Sequence, residues 1–374
     1  MTAATPLVYV MAGGTGGHVI PALAVARALA ERGYAIRWMG TERGIESRLV
    51  PEAGYPIDYL PIGGVRGKGW ATRLAAPFAL MRAVWAAARH LRRECPVLVL
   101  GMGGFAAGPG GLAAWLLRRP LVIHEQNAIA GMTNRVLSRF ARVTLAAYPK
   151  AFGRRLPETR VVGNPVRPEI ALLPDPDTRL ADREGAVRVL VLGGSLGARA
   201  LNESVPRALA RVSHSIDLDI RHQAGARHLE DARAHYASAA WGEGSRHEVT
   251  GFIDDMAEAF GWADFVIGRA GAMTVAEIAA AGVGALFIPF PHAVDDHQRH
   301  NAAWLVDQGA ARLLDQRDAD VDRLVDLLGT VLADRTLLRD MAVRARAAAI
   351  ADSTARITTV CEQIIAGQRP GEEK

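Results

Sequence analysis

The sequence predicts a two-domain α/β protein in which each domain is built on a parallel sheet. The chain has 374 residues, which is more than one hydrophobic core usually holds, so two domains are expected. Each half also begins with the same pattern, a short apolar strand that runs into a glycine-rich loop and a helix. The pattern opens at Leu7 in the first half and at Val187 in the second. Its repetition in one chain favours two Rossmann-like domains.

Composition narrows the class of protein. Hydrophobic residues make up 50% of the chain and aromatic residues only 6%, as in a soluble globular protein. The two cysteines, Cys95 and Cys361, lack metal-binding spacing and are expected to be reduced thiols of a cytosolic protein. We find neither a signal-peptide pattern nor an apolar run of membrane-spanning length, so a soluble or peripheral protein is expected.

Charge is distributed unevenly along the chain. Residues 1–165 hold 21 Lys and Arg residues against 8 Asp and Glu residues, a net charge of +13, whereas the remainder carries −8. A basic half attracts anions. The imbalance therefore predicts an anionic partner on one side of the protein only, either nucleic acid or a lipid surface.

The first strand, loop and helix hold the first candidate reactive groups. Leu7–Met11 is the apolar strand, residues 13–18 read GGTGGH, and the helix extends to about Arg32. Because this spacing differs from G-x-G-x-x-G, an NAD site is disfavoured. The glycines let backbone amides approach phosphates, and Thr15 and His18 are the only reactive side chains of the loop. His18 is a candidate catalytic residue, with a purely structural histidine as the alternative.

A basic amphipathic segment follows the second strand, Ala35–Met39, and a glycine-rich connection. Its apolar residues recur at helical spacing beside Arg82; they are Trp70, Leu74, Phe78, Met81 and Trp85. Pro77 predicts that the regular helix begins there and that the residues before it form a turn. Aromatic residues beside arginine favour a helix that lies in the headgroup layer of an anionic membrane. The alternative is that the stripe packs on the sheet while the arginines only reach out to solvent.

A second glycine-dense loop and a polar cluster follow in the same half. Residues 101–111 read GMGGFAAGPGG, and two such loops in one domain predict a cradle for a pyrophosphate. Residues 124–127, HEQN, follow the strand Leu121–Ile123, at the sheet edge where catalytic residues lie. The proline- and aspartate-rich run that ends at Asp177 is expected to be the interdomain linker.

The second half begins with the strand Val187–Leu192 and the loop GGSLG at residues 193–197. This loop satisfies G-x-S-x-G between a strand and a helix, so a serine hydrolase with Ser195 as nucleophile is an alternative function. No HGGG-type oxyanion segment accompanies it, and a second Rossmann-like unit explains the loop more simply. Asp254 and Asp255 are expected to cap a helix rather than to bind a metal. A terminal helical segment, from about residue 340 to residue 366, is expected to pack back on the first domain.

The stretch from Ala263 to Asn301 contains the most informative pattern. A short strand, Phe265–Ile267, leads into small residues, and a helix is predicted to begin near Thr274 with Glu277 completing a capping box. The amides and the dipole of such a helix N-terminus attract anions. Glu277 is placed to accept hydrogen bonds from a sugar diol such as ribose. The alternative is an ordinary βαβ unit in which Glu277 only caps the helix.

Together these motifs resemble the MurG family, which belongs to glycosyltransferase family 28 and completes the disaccharide of the bacterial cell-wall lipid precursor. The motifs occur in order along nearly the whole chain: GGTGGH (13–18), GMGGFAAGPGG (101–111), HEQN (124–127), GNPVR (163–167), GGSLGA (193–198), FIDDM (252–256), GAMTVAEIAAAG (271–282) and DHQ (296–298). Each motif alone is weak, whereas their joint order is specific. Ala270 stands where the family often has serine, and the loop at 292–296 varies in length within the family.

The resemblance implies a GT-B fold, an α/β architecture in which two Rossmann-like domains with parallel sheets face a central cleft. The N-terminal domain, residues 1–166 joined by the C-terminal helix at about 346–368, would bind the acceptor and the membrane. The C-terminal domain, residues 167–345, would bind UDP-GlcNAc. The implied donor contacts are Thr15, Gly16, Gly17, Asn127, Arg167, Ser195, Ile253, Ala272, Met273, Thr274, Val275, Ala276, Glu277 and Gln298. The acceptor pyrophosphate is assigned to Gly14, Gly103 and Gly104.

The implied reaction is an inverting transfer of GlcNAc from UDP-GlcNAc to the 4-hydroxyl of MurNAc in undecaprenyl-pyrophosphoryl-MurNAc-pentapeptide, lipid I. The product is the β-1,4-linked disaccharide lipid II of peptidoglycan synthesis. His18 is the first candidate for the base that removes the hydroxyl proton, and Glu125 is the second. Helix-terminal amides, Ser195 and Arg167 would stabilise the leaving diphosphate. Because no DxD-type metal pair is evident, a metal or other cofactor is expected to be dispensable.

The resemblance also implies a location and partners. The protein is expected to be peripheral on the cytoplasmic face of the bacterial cell membrane, with an anionic membrane surface as partner and without nucleic acid. Proteins of cell-wall synthesis and division are further candidate partners. A noncatalytic nucleotide-sugar binding module that needs a separate catalytic subunit is the second alternative function. Two complete Rossmann-like halves in one chain argue against that alternative.

Overall fold

The chain folds into two compact units. The structure, a computed structural model, describes residues 5–62, 70–153, 159–194, 198–291, 296–350 and 352–368. Unit 1 comprises Met1–Pro165 with Asp352–Lys374, and unit 2 comprises Val166–Ala351.

Unit 1 is an α/β unit with one parallel sheet. Its strands are β1 (Leu7–Met11), β2 (Ala35–Gly40), β3 (Ile57–Tyr59), β4 (Leu98–Gly101), β5 (Leu121–Glu125), β6 (Val143–Ala146) and β7 (Thr159–Val161). Its helices are α1 (Gly16–Glu31), α2 (Glu46–Glu52), α3 (Trp70–Glu94), α4 (Ala107–Leu116) and α5 (Met132–Leu137), with a C-terminal helix, Ser353–Ile365. The strands pair in the order β3-β2-β1-β4-β5-β6-β7, and every pair is parallel.

Helices cover both faces of this sheet, which explains why its strands are continuous apolar runs. In β1, Val8 and Val10 pack in the core that also holds residues of α1 and of the C-terminal helix. Tyr9 and Met11 point the other way, into the core lined by α3 and α4. The C-terminal helix returns to unit 1 by burying an apolar face, Ile357, Val360, Cys361 and Ile364.

Unit 2 repeats this architecture. Its strands are β8 (Val187–Leu192), β9 (Leu218–Gln223), β10 (Arg246–Thr250), β11 (Phe265–Gly268), β12 (Gly284–Phe287) and β13 (Ala311–Leu313). Its helices are α6 (Pro168–Ala171), α7 (Pro176–Leu180), α8 (Arg199–Val212), α9 (Leu229–Ser238), α10 (Met256–Trp262), α11 (Ala272–Ala281), α12 (His297–Asp307), α13 (Val321–Leu332) and α14 (Arg335–Ala348), which makes the C-terminal helix α15. The order is β10-β9-β8-β11-β12-β13, again all parallel. The predicted pair of parallel α/β sheets is confirmed.

The proline- and aspartate-rich run is not a free linker, so that prediction is wrong. It forms α6 and α7 within unit 2, where Arg179 donates hydrogen bonds to the carbonyls of Ala281 and Gly282 at the end of α11. Arg346 of α14 also donates to the carbonyl of Leu173. The guanidinium groups satisfy carbonyls that a helix end leaves open, and they hold this segment on the unit.

Helix α3 begins at Trp70, so the prediction that regular helix begins at Pro77 is also wrong. Pro77 is exposed, and a proline on the solvent side of a helix removes one hydrogen bond without ending the helix. The face that α3 buries is made of small and aliphatic side chains, Ala83, Ala87 and Leu91. No helix among the described residues is long and apolar enough to cross a membrane.

Strand order places particular loops next to each other. In unit 1 the order reverses between β1 and β4, and in unit 2 it reverses between β8 and β11. Ligands of open α/β sheets bind at such reversals, beyond the carboxyl ends of the strands. The glycine loops at residues 13–17 and 102–106 flank the first reversal. Residues 193, 194 and 198 and the loop at residues 269–271 flank the second.

Candidate active site

The two glycine loops of unit 1 pack against each other. Gly103 and Gly104 both have positive φ, +93° and +88°, a conformation that side chains rarely adopt. A Cβ on Gly104 would overlap the backbone of Gly13, and one on Gly103 would lie 2.8 Å from Nε2 of His18. Only glycine fits at both positions. The imidazole of His18 therefore rests against the second glycine loop.

His18 lies in the first turn of α1, whose N-cap is Thr15. Its Nδ1 is 3.2 Å from Oγ1 of Thr15, and the side chain is half-buried. This places the predicted catalytic histidine at the sheet edge where ligands of α/β folds bind. A histidine held at one nitrogen by a hydroxyl is suited to accept a proton at the other.

The amide of Gly14 is already used within the fold. It donates a hydrogen bond of 2.9 Å to Oε2 of Glu46. An amide has one hydrogen, so in this arrangement Gly14 offers no donor to a phosphate. Of the three glycines predicted to bind the acceptor pyrophosphate, Gly103 and Gly104 remain candidates.

The HEQN segment links three loops of unit 1. Strand β5 extends through Glu125, so His124 and Glu125 lie inside the strand and not after it as predicted. His124 is fully buried, and its Nε2 donates to the carbonyl of Gly163 at 2.9 Å. Burial lowers the pKa of His124 to about 4, so the ring is neutral near pH 7. Gln126 donates to the carbonyl of Met102 at 3.0 Å, which ties the second glycine loop to β5.

Glu125 holds other site residues in place. One carboxylate oxygen accepts from the backbone and side-chain amides of Asn127, at 2.9 and 3.1 Å. The other accepts from the amide of Gly131 at 3.1 Å and from the side chain of Asn134 at 2.9 Å. The residue is 2% exposed. With both oxygens engaged and buried, Glu125 is a poorer candidate for the base than His18, and it orients Asn127.

In unit 2 the helix α11 begins at Ala272, with Gly271 as N-cap in an extended conformation. No side chain caps this helix, so the predicted capping box between Thr274 and Glu277 is wrong. Glycine serves as N-cap without a side-chain hydrogen bond. Glu277 therefore takes no part in capping and pairs with another residue. The first turn presents backbone amides and the positive end of the helix dipole, as expected for an anion site. By contrast, the cap predicted at residue 255 is confirmed, because Asp255 accepts from the amide of Glu258.

The partner of Glu277 is Arg167. Nε and Nη2 of Arg167 lie 3.0 and 2.9 Å from the same oxygen, Oε1 of Glu277. The Glu277 side chain is 11% exposed and that of Arg167 is 39% exposed. Burial raises the pKa of Glu277, and the guanidinium of Arg167 opposes that rise. Both contacts use one carboxylate oxygen, so the other keeps its capacity to accept from a donor such as a sugar hydroxyl.

The loops that follow β11 and β12 are tied together by Arg269, which sequence reasoning missed, and by Asn301. Arg269 donates to the carbonyls of Ile288 and Pro289, at 2.8 and 3.0 Å. Asn301 is fully buried and donates to the carbonyl of Ala270 at 3.2 Å. Arg269 is a single polar residue among small and apolar ones, FVIGRAGAM, and no motif marked it as part of the site. Gln298, which was predicted, accepts from the amide of Phe290 at 2.9 Å.

The predicted site residues fall into two groups. Unit 1 holds Gly14, Thr15, Gly16, Gly17, His18, Gly103, Gly104, Glu125 and Asn127 at one sheet edge. Unit 2 holds Arg167, Ile253, Gln298 and the first turns of α11, Ala272, Met273, Thr274, Val275, Ala276 and Glu277. Val275 is fully buried in the core, so only its backbone is available to a ligand. Ser195 lies outside the described residues, and no cluster suited to a metal ion occurs within the described part of the chain.

Two family models match successive parts of the chain. The glycosyltransferase family 28 N-terminal domain matches residues 8–145, and the glycosyltransferase family 28 C-terminal domain matches residues 188–357. The chain belongs to glycosyltransferase family 28. The two parallel α/β units are the GT-B fold of this family, as the resemblance implied.

Similar proteins within family 28 match along nearly the full length. A protein of Halorhodospira halophila is 53% identical over 96% of this chain and 99% of its own, and one of Marinobacter nauticus is 52% identical over 94% and 95%. Both are named UDP-N-acetylglucosamine--N-acetylmuramyl-(pentapeptide) pyrophosphoryl-undecaprenol N-acetylglucosamine transferase. The crystal structure of MurG from Acinetobacter baumannii superposes with a TM-score of 0.86 and 41% identity, covering 96% of this chain and 99% of that one. Membership of family 28 supports neither the serine hydrolase nor the noncatalytic module.

Proposed function

We propose that this protein transfers N-acetylglucosamine from UDP-GlcNAc to the 4-hydroxyl of MurNAc in lipid I and so forms lipid II of peptidoglycan synthesis. It acts as an inverting hexosyltransferase. The observation that carries the proposal is similarity above 50% identity, over at least 94% of this chain, to two relatives named for this reaction.

UDP-GlcNAc binds mainly to unit 2. The diphosphate lies at the N-terminus of α11, where the amides of Ala272, Met273 and Thr274 point out of the helix. Glu277, positioned by Arg167, accepts hydrogen bonds from the ribose hydroxyls. The backbone of Ile253 and Gln298, in the first turn of α12, complete the donor site. Thr15, Gly16, Gly17 and Asn127 of unit 1 contact the transferred sugar or its diphosphate, as the family motifs imply.

The acceptor binds to unit 1. Its pyrophosphate lies on the amides of Gly103 and Gly104, where glycine lets a phosphate approach the backbone closely. His18, which rests against Gly103, is then beside the acceptor sugar and removes the proton of the 4-hydroxyl. Glu125 acts through Asn127, to which it is bonded twice.

The stereochemistry follows from a single displacement. The donor is α-linked and the product β-linked, so the hydroxyl attacks C1 from the face opposite UDP. The bond between C1 and the diphosphate oxygen breaks while the bond to the acceptor oxygen forms, and the proton goes to the base. The developing charge on the diphosphate is stabilised by the amides and dipole of α11. Arg167 stabilises the leaving diphosphate less than the sequence analysis expects, because two of its nitrogens are hydrogen-bonded to Glu277, whose negative charge offsets that of the guanidinium.

The exposed face of α3 supports membrane binding. Phe78, Met81 and Trp85 are 70%, 58% and 65% exposed, although they form the apolar stripe of the helix. Arg89 lies 5.6 Å from the centre of the Trp85 ring, and Arg82 is also exposed. Because α3 packs on unit 1 through its other face, Ala83, Ala87 and Leu91, the described part of the stripe does not pack on the sheet. The side chains of Trp70 and Leu74 lie outside the described residues.

A helix with aromatic side chains and arginines on one exposed face is suited to the headgroup layer of an anionic bilayer. Such docking brings unit 1 to a lipid-borne acceptor. We place the protein at the cytoplasmic face of the bacterial cell membrane as a peripheral protein. Proteins of cell-wall synthesis and division remain candidate partners on the resemblance alone.

A purified-protein assay with UDP-GlcNAc and a lipid I analogue tests the proposal. Formation of a β-1,4-linked disaccharide without any added protein is the expected result, and we expect the same rate in the presence of EDTA. Absence of product from folded protein that binds UDP would overturn it in favour of the noncatalytic module. Release of ester products that is abolished in Ser195→Ala would revive the hydrolase.

A further inference from the structure

A buried carboxylate lies under the first glycine loop. Glu46 is the first residue of α2 and is fully buried. Its Oε2 accepts from the amide of Gly14 at 2.9 Å. Its Oε1 accepts from the amide and the hydroxyl of Thr41, at 2.9 and 2.7 Å. Three donors, rather than a cation, therefore satisfy both oxygens of this side chain.

The surrounding backbone is shaped to admit this side chain. A Cβ on Gly13 would lie 2.5 Å from Oε1 of Glu46, and one on Gly40 would lie 2.7 Å from Cγ. A Cβ on Gly44 would overlap the carboxylate itself. Three glycines thus leave the space that a buried glutamate occupies. A buried carboxylate is costly unless it is fully hydrogen-bonded, so a site built this closely around one indicates a specific task.

The hydrogen bond to Glu46 lies directly before the N-terminus of the helix that carries His18. Gly14 has φ of +90° and is followed by Thr15, the N-cap of the helix that carries His18. The bond from Gly14 to Glu46 fixes the chain just before this cap. The contact between Thr15 and Nδ1 of His18, and the seat of the imidazole against Gly103, both depend on where the cap lies.

The charge of Glu46 also affects what the loop can bind. A carboxylate 2.9 Å from the amide nitrogen of Gly14 repels an anion at that point of the loop and occupies the donor that the anion needs. The second glycine loop carries no such carboxylate on Gly103 or Gly104 among its described contacts. The two loops therefore differ in role although both are rich in glycine.

We propose that Glu46 is a positioning residue for the transfer reaction: it holds the loop at residues 13–17 so that His18 is aimed at the acceptor hydroxyl. The first glycine loop is then a support for the base, and the second is the seat of the acceptor pyrophosphate. The inference rests on the proposed function, in which His18 is the base.

The variant Glu46→Gln tests it with little change in volume. The glutamine side chain has only one acceptor oxygen. Its NH2 group would therefore face the backbone N–H of either Gly14 or Thr41, and because two donors cannot hydrogen-bond to each other, the loop shifts. We expect kcat to fall by about tenfold to a hundredfold, as when a reacting group is misplaced by about 1 Å. The Kd of UDP, which lacks the transferred sugar and binds mainly to unit 2, is expected to stay within about twofold.

Asp58→Asn is the matched control. Asp58 is a buried carboxylate of the same unit, on β3, that accepts from Tyr9 at 2.5 Å and Arg37 at 2.6 Å. It has no contact with the glycine loops among its described bonds. We expect this variant to lose stability yet keep kcat within about twofold of wild type at temperatures where it is folded. An equal loss of kcat in both variants would overturn the inference in favour of a general folding role.

A double-mutant cycle with His18→Ala separates positioning from folding. If Glu46 acts through His18, Glu46→Gln has no further effect on kcat once His18 is alanine. If instead the double mutant shows a loss of kcat equal to the product of the two single-mutant losses, the inference is overturned. The ring-nitrogen chemical shifts of His18 in labelled protein provide a measurement that needs no turnover. They should change in Glu46→Gln and not in Asp58→Asn, and unchanged shifts in both would also refute it. Turnover by the wild-type protein, measured in the same series, tests the proposed function itself: without it the proposed function fails, whatever the variants show.

Discussion

Replacement of Glu277 by glutamine is the sharpest test of how the donor is held. The Glu277 side chain is 11% exposed, and one of its carboxylate oxygens accepts both hydrogen bonds from Arg167. Glutamine keeps the shape of the side chain and can still accept from Arg167, but it removes the charge. The perturbation therefore weakens the interaction with the ribose hydroxyls without removing the side chain that contacts them.

The expected magnitude follows from this geometry. A hydrogen bond to a charged group contributes about 1.5–3 kcal/mol, so loss of the charged acceptor should weaken UDP binding by about tenfold to a hundredfold. Folding should change little. The Arg167 side chain is 39% exposed, so water can hydrate its charge, and removal of a buried carboxylate relieves a desolvation cost. We expect a change in unfolding free energy of about 1 kcal/mol or less.

Titration calorimetry with UDP and with 2′-deoxy-UDP is the assay. Wild-type protein should bind the deoxy compound more weakly than UDP, whereas Glu277→Gln should bind the two almost equally, because the hydroxyl no longer has its charged acceptor. Glu230→Gln, which breaks an exposed ion pair with Arg233 in the same unit, should bind UDP like wild type. Equal affinity of Glu277→Gln and wild type for UDP would refute the assignment. So would an equal loss on removal of the hydroxyl in both proteins.

Three further predictions concern the base, the membrane and acid stability. His18→Ala should lower turnover by about a hundredfold or more while UDP affinity by calorimetry stays unchanged; near-normal turnover with an unchanged pH profile would contradict this. Replacing Phe78, Met81, Arg82 and Trp85 by polar neutral residues should reduce flotation with anionic liposomes and spare turnover of a soluble acceptor. Unchanged flotation would argue against the docking surface. Burial lowers the pKa of His222 to about 3, below the value of about 6.5 in an unfolded chain. Unfolded protein then binds the extra proton, so stability is full above about pH 6.5 and falls as the pH drops toward about 3. Denaturant titrations should show that the free energy of unfolding falls less on acidification in His222→Gln than in wild type, whereas the exposed control His214→Gln should match wild type. Identical pH profiles for all three proteins would contradict a role of His222 in acid stability.

Much of the architecture was readable from local pattern. The strands Leu7–Met11 and Val187–Leu192 have the predicted bounds, because a strand buried on both faces is a continuous apolar run with glycine after it. The family also followed from motif order. The errors arose at residues where the structure does not follow the local sequence signal. Pro77 does not begin α3, and Glu277 pairs with Arg167 across 110 positions of sequence instead of joining a capping box.

Spacing along the chain thus specified where strands, loops and helices lie and which residues carry reactive groups. It did not specify which loops meet, because that depends on strand order. The pairing of β1 with β4 brings His18 against Gly103, and the return of the loop after β2 places Glu46 under Gly14. A carboxylate that satisfies three donors looks, in sequence, like any surface glutamate. Its role appears only in three dimensions, since burial and hydrogen-bond partners are properties of the packed chain.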